Sequence, residues 1–348
     1  MMKKQFGIAA LILCVGAFSG FAQDTSVNVN SYTIPELPGV PVIDGDLSDA
    51  VWANVPTIPM DKDGDSPAAA PGTGDLDIVL KIAWDDETNA LYFALNVIDE
   101  SFVQVRGFGS SAGTDGYNNE RLEIIIDGTN TGDANSTTTS GFHQQYTFDL
   151  PYTYDYWGPD NDIAKKKFVA GELGYFNTLE GGIAPSSTFI PVPVFERIEG
   201  TLNLTNDSAP WDIADDYVLS AAQIRVTDPN VTEWIEAPVE INWEVRIVPF
   251  EYLEPAANLG YDITDPAEIA TGWLSFWKDP AHIPLDLEPN KVIGCVPQQN
   301  DGDVWGQAPA REHQTNTSGV AGNWNSSESL TGLILGAKAT AIPDWSLQ

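Results

Sequence analysis

Tyr117-Asn118-Asn119-Glu120-Arg121-Leu122-Glu123-Ile124-Ile125-Ile126-Asp127 is the stretch whose reading decides the fold. From Leu122 to Ile126 it reads as a β-strand, with three consecutive isoleucines and no Pro, Gly or Ser to break it. Side chains alternate across a strand, so Arg121, Glu123 and Ile125 share one face and Leu122, Ile124 and Ile126 the other. A glutamate on an otherwise apolar strand must stay wet, be paired or hold a ligand. Asp127-Gly128 opens the turn that leaves the strand.

Working outward, the same pattern recurs. Leu76 to Asp85 and Ala90 to Asp99 read as two strands of a hairpin joined through Asp85-Asp86-Glu87-Thr88-Asn89. Gln144 to Asp149, Val218 to Val226, Val239 to Ile247, Lys291 to Val296 and Leu330 to Leu335 add further strands, with a shorter piece at Phe189 to Phe195. Val40 to Ile43 reads as a strand entering the Asp44-Gly45 turn, followed by a short helical turn near Ser48 that buries Trp52. A second helical turn is expected over Glu251 to Leu253, and Gln298 to Gly306 reads as a polar run outside the strands. There is no long helical period and no repeat at fixed spacing. Many short strands with turn signals predict an all-β protein, an antiparallel β-sandwich of jelly-roll or immunoglobulin-like type with long loop insertions.

The chain of 348 residues carries 16 Lys+Arg against 50 Asp+Glu, a formal net charge of -34. Nucleic acid and anionic membrane surfaces, which need a basic face, are poor partners for it. Such acidity suits divalent cations, neutral ligands such as sugars, or a salty medium. Lys3-Lys4, the apolar run Phe6 to Phe18 and the small residues around Gly20-Phe21-Ala22 read as a bacterial signal peptide over residues 1–22. A secreted, extracellular or periplasmic location follows as an expectation. Cys295 is then the only cysteine of the mature chain, so no intrachain disulfide is expected. Residues 23–39 read as a leader segment against the domain, and 40–348 as one domain with an insertion at about 158–229.

Four motifs in order resemble the family 9 carbohydrate-binding modules. They are Val42-Ile43-Asp44-Gly45-Asp46-Leu47 with Trp52; Ile82-Ala83-Trp84-Asp85-Asp86 with Ala90-Leu91-Tyr92-Phe93; Tyr117 through Asp127; and Trp243 through Phe250. A weaker fifth is Asn300-Asp301-Gly302-Asp303 followed by Leu330 to Leu335. The resemblance implies a non-catalytic sugar-binding sandwich, often stabilised by calcium, in which two aromatic rings clamp a sugar and polar side chains hold its hydroxyls. Carried over, Tyr117 matches one clamp ring, Glu123 the hydroxyl-binding carboxylate, and Trp324 is the candidate second ring. The chain departs from the pattern in having tyrosine where tryptophan is expected and in the length of residues 158–229.

Each of these residues has a plainer alternative. Glu123 would serve equally as half of a salt bridge at a sheet edge, and Tyr117 as a loop ring packed on the core. Trp52, Trp84 and Trp243 sit in apolar contexts and are expected in the core. Tyr152, Tyr154, Tyr156 and Trp157 form a stripe that suits sheet packing better than a sugar platform.

For a metal, Asp61, Asp63 and Asp65 place carboxylates at alternate positions as at the start of a calcium loop. Gly64 at the fourth position and Gly72 at the twelfth exclude an EF-hand. Asp301 and Asp303 repeat the alternation, and a structural calcium is expected from one or both groups. Other turn aspartates, Asp99 and Asp127 among them, offer further oxygens.

Catalytic motifs are missing. His143, His282 and His313 fit no zinc spacing, and there is neither a nucleophile elbow nor a phosphate loop. The function expected is sugar binding without cleavage, linked to polysaccharide breakdown by separate enzymes. The alternatives are a glycoside hydrolase built on a carboxylate pair, or a structural or adhesion protein that kept the fold and lost the site.

Overall fold

The computed structural model describes residues 27–63, 76–103, 105–106, 120–131, 142–150, 154–155, 184–192, 194–199, 216–234, 237–254, 259–260, 274–302, 311–320 and 330–338. The strands begin with β1 (Ser31–Glu36), β2 (Thr57–Ile58), β3 (Lys62–Asp63), β4 (Leu76–Asp85), β5 (Ala90–Phe102) and β6 (Val105–Arg106). The next six are β7 (Arg121–Asp127), β8 (His143–Asp149), β9 (Tyr154–Asp155), β10 (Ile190–Val192), β11 (Phe195–Glu199) and β12 (Val218–Val226). The last six are β13 (Ala237–Ile247), β14 (Phe250–Tyr252), β15 (Ile283–Pro284), β16 (Val292–Gly302), β17 (Arg311–Asn316) and β18 (Thr331–Lys338). A 3-10 turn at Ala50–Trp52 and one helical turn, α1 (Leu274–Trp277), complete the regular structure of the described residues.

Fourteen strands form one curled sheet along the path β10-β12-β13-β5-β4-β1-β18-β16-β7-β8-β11, with β2 beside β4, β17 beside β16 and β3 beside β17. The two halves meet at β1. Ser31 to Ile34 and Glu36 pair with β18, with a register shift at Pro35, and Glu36 also pairs with Trp84 of β4. Proline has no N–H to give to a ladder, so it is a natural place for the register to shift. Both pairings of β1 are parallel, whereas the remaining pairings in the large sheet are antiparallel. The all-β reading therefore holds, with this one parallel strand as a feature it did not contain.

Alternation builds the core. Leu122, Ile124 and Ile126 of β7 join Phe93, Leu95 and Val97 of β5, Trp243 of β13 and Leu333 of β18 in one buried cluster. Because that cluster draws on both halves of the sheet, their inner faces pack against each other as the two layers of a sandwich. At about 25 cal/mol per Å² of apolar surface removed from water, this burial is the main term favouring the fold. Trp52, Trp84 and Trp243 are all buried, as expected.

A smaller cluster lies outside β4 and β5, where Leu37, Trp52 and Val55 cover Ala83, Tyr92 and Ala94. The segment before it departs from the sequence reading. Residues 40–43 form no strand, and Val40 and Val42 are exposed. Pro41 removes a donor, and side chains hold the turn instead: Val42 N donates to Asp49, and Asp44 N and Gly45 N donate to Glu244 Oε2 at 3.1 and 3.0 Å. Gly45 has φ +80, and a Cβ there would lie 2.9 Å from the backbone of Ala222 and Gln223, so only glycine fits.

Two further corrections concern element type. Phe250–Tyr252 is a strand paired with β15, not a helical turn. The polar run from Gln298 continues β16 through Gly302, because those residues pair with β7 on one side and β17 on the other. The stretch 23–39 contributes β1, and 158–229 contributes β10, β11 and β12. The predicted signal peptide and the side chains of Tyr152, Tyr154, Tyr156 and Trp157 lie outside the described residues.

Candidate functional site

On β7 the outer face changes character along the strand. Ile125 packs with Val296 and Leu330 in a small apolar cluster, and one step further along the face is Glu123. The ladder sets polar residues around that glutamate. Gln298 and Thr147 are its direct cross-strand neighbours, Asn300 and Asp149 stand opposite Arg121, and Gln145 stands opposite Ile125. From β17, Asn316 and Gln314 extend the row beyond Gln298 and Asn300.

Glu123 is the hub of this face. Its Oε1 accepts from Asn300 Nδ2 at 3.1 Å and lies 3.5 Å from Arg121 Nη1. Its Oε2 accepts from Gln145 Nε2 at 3.3 Å and also from Gln298 Nε2. Asn300 in turn accepts from Gln314 Nε2 at 3.0 Å. Arg121 forms a fork onto Asp149, with Nε to Oδ1 at 2.7 Å and Nη2 to Oδ2 at 3.2 Å. Glu123 is thus half of a salt bridge, but in the interior of the sheet rather than at its edge, since β7 lies between β16 and β8 and Glu123 is buried.

Two polar atoms in this cluster have no hydrogen-bond partner among the described residues, Gln298 Oε1 and Asn316 Nδ2. One is an acceptor and the other a donor, and their residues stand opposite each other in the β16–β17 ladder. A hydroxyl group, which donates and accepts at once, is the simplest partner for such a pair. Buried polar atoms left unmatched cost about 1–3 kcal/mol each.

On the inner side of the same strands, Asp99, Glu120 and Asp301 each bring one carboxylate oxygen within 4.8 Å of the others, and all three are buried. Asp301 thus lies in an acidic group as expected, but its companions come from β5 and from the residue before β7. Asp61 is exposed just before β3 and is not a member of that group. Tyr117, Trp324, Asp65 and Asp303, and the side chain of Asp63, lie outside the described residues.

Sequence reasoning singled out Glu123 but missed its partners Gln145, Gln298, Asn300 and Arg121, and Gln314 and Asp149 behind them. The available signal was the runs of amides in His143 to Asp149 and in Gln298 to Gly302. It went unused because a polar run is more readily taken for a loop than for a buried ladder.

Residues 43–183, less than half of the chain, match the family model "Carbohydrate family 9 binding domain-like", which bears out the resemblance read from the motifs. The chain is also similar to a family 9 carbohydrate-binding module from Caldicellulosiruptor kristjanssonii solved with cellotriose. The identity is 15% and the TM-score 0.45, over 90% of this chain and 98% of that one. For the same module solved with glucose, the values are 14% and 0.46, over 90% and 100%. A putative carbohydrate-binding protein from Bacteroides uniformis ATCC 8492 is 10% identical, with TM-score 0.42, over 88% and 99%. Among curated proteins, none matches the chain.

Proposed function

We propose that this protein is a secreted, non-catalytic carbohydrate-binding protein whose ligand hydroxyls are held by the Glu123 cluster. The observation that carries the reading is the position of that cluster. Glu123 and Gln145 lie within the residues matched by a carbohydrate-binding family model, and Gln298 and Asn300 from β16 complete a ring of three carboxamides around the buried carboxylate, beside an unmatched donor and acceptor. Tyr117 and Trp324 supply the stacking faces in this proposal, since apolar sugar faces pack on aromatic rings while carboxylates and amides take the hydroxyls. A bound calcium stiffens the scaffold. The protein acts outside the cytoplasm, alongside separate enzymes that degrade polysaccharide.

Calorimetric titration of the mature protein against xylo- and gluco-oligosaccharides tests the reading. The parent is expected to bind with micromolar to millimolar Kd. Glu123→Ala is expected to lose at least about tenfold in affinity, because a charge-assisted hydrogen bond contributes roughly 1.5–3 kcal/mol. Absence of heat with every sugar leaves the structural protein as the better reading. Appearance of shortened products in the calorimeter cell favours the hydrolase.

A further inference from the structure

The inner side of the strands that carry the sugar cluster holds a second group of polar residues, in a place where a sandwich normally keeps only apolar ones. Asp99 follows Leu95 and Val97 in the core-facing series of β5 and stands opposite Leu76 and the core residue Val239. Glu120 precedes Leu122 and Ile124 in the core-facing series of β7, and Gln299 stands opposite Leu122. Asp301 is two residues beyond Gln299 on β16. One carboxylate thus comes from one half of the sheet and two from the other, and all three are at most 1% exposed.

Three carboxylates within 4.8 Å and out of water repel one another strongly. Hydrogen-bond donors, cationic side chains, protons or a bound cation must offset that charge. An independent observation points to a cation. Gln299, which is fully buried, brings its carboxamide to Glu120, with Nε2 3.5 Å from Oε2, yet its Oε1 has no hydrogen-bond partner among the described residues. Thr315 stands opposite Gln299 in the ladder, and its buried Oγ1 is likewise unmatched. A metal ion takes carboxylate, amide and hydroxyl oxygens together, so one bound cation accounts for the acidic group and for both unmatched atoms at once. Among the described residues the donor set is all oxygen and carries more negative charge than one divalent ion cancels. That chemistry selects a hard cation, and the number and flexibility of the donors favour calcium over magnesium.

We infer that Asp99, Glu120 and Asp301, with the Gln299 amide oxygen, form a calcium site that clamps the two halves of the sheet together directly behind the Glu123 cluster. This deepens the calcium part of the proposed function by giving it residues. Ser101 N donates to Asp99 Oδ1 at 2.7 Å, which orients that carboxylate from the end of β5. On the other side, Glu120 and Asp301 fix the ends of β7 and β16, whose outer faces hold Glu123, Gln298 and Asn300.

The test uses the mature chain stripped of metal with EDTA, and none of its readouts involves sugar. Equilibrium dialysis with radioactive calcium is expected to show at least one ion per chain with Kd of about 10 µM or lower. In 1 mM calcium, at constant ionic strength, Tm is expected to rise by about 5 °C or more. Asp301→Asn and Glu120→Gln should each lose that ion and that rise, whereas Asp61→Asn and Glu123→Ala keep both. Amide exchange at Leu122 to Glu123 and at Gln298 to Asn300 should quicken when calcium is removed. The proposal is overturned if the parent binds no calcium under these conditions, a result that needs no variant to fold. It is equally overturned if Asp301→Asn binds calcium as the parent does, or if it melts higher than the parent with and without calcium, which would mean that protons neutralise the group. Unchanged exchange on calcium removal would refute the clamp. Failure of Glu123→Ala in the sugar titration, with calcium binding intact, would strike only the carbohydrate reading.

Discussion

Arg121 and Asp149 show how much a single pair contributes to the candidate site. Both side chains are buried and joined by a two-point fork, so removing either partner takes the closest opposite charge from the other in a place shut off from water. Asp149→Ala is expected to cost about 3–5 kcal/mol in a urea unfolding titration, and Arg121→Ala a similar amount. Glu244 behaves differently. It accepts hydrogen bonds from Trp52 Nε1 at 2.8 Å and from Asp44 N and Gly45 N, but burial outweighs these donors and raises its pKa above 4.5. The folded state therefore prefers the protonated acid. This group's contribution to stability is fullest below about pH 4.5 and declines as pH rises through the raised folded value. Glu244→Gln cannot titrate. The Tm deficit of that variant relative to the parent is expected to be largest near pH 4 and to narrow toward pH 8. A deficit that does not change with pH would show that Glu244 does not carry this dependence.

Among the elements, those with clean alternation were legible. The β4–β5 hairpin has β4 where the sequence put it, and its turn works as expected, with Thr88 bonded to Asp85 and Asn89 at φ 51. β7, β8, β12, β13 and β18 are recovered with small changes at their ends. The strand expected at 40–43 fails because its hydrogen bonds go to the Asp49 and Glu244 side chains rather than to a ladder. The end of β16 was hidden for the opposite reason. Gln298 to Asp301 look like a loop until β7 and β17 are known to flank them with matching polar side chains. Long-range pairing of that kind is not visible in a local window. The same limit explains the site: Glu123 stood out on its own strand, while its partners come from β8, β16 and β17. Gly45→Ala tests the turn. Its Cβ would meet the β12 backbone from a left-handed conformation, and a loss of about 1–3 kcal/mol is expected in thermal or urea unfolding. In the core, Ile124→Ala is expected to cost about 2–5 kcal/mol, with the slope against urea unchanged.

For the whole molecule, charge dominates. A net charge of -34 makes the compact state repel itself, and salt screens that repulsion. Tm is expected to rise as sodium chloride goes from about 10 to about 300 mM, and a flat response would show that the carboxylates are too dispersed to matter. Among the described residues no helix is long and apolar enough to cross a membrane. The seam at β1 has a further consequence. Ser31 pairs with Gly332, so most of β1 finds its partner only after the strands between them have been made. Until then its one ladder pairing is that of Glu36 with Trp84 of β4. Closing so long a loop is slow, because distant contacts must form before they are rewarded. Assembly of this protein should thus proceed like fastening a belt: each half is laid down in turn, and the buckle, made first, closes last.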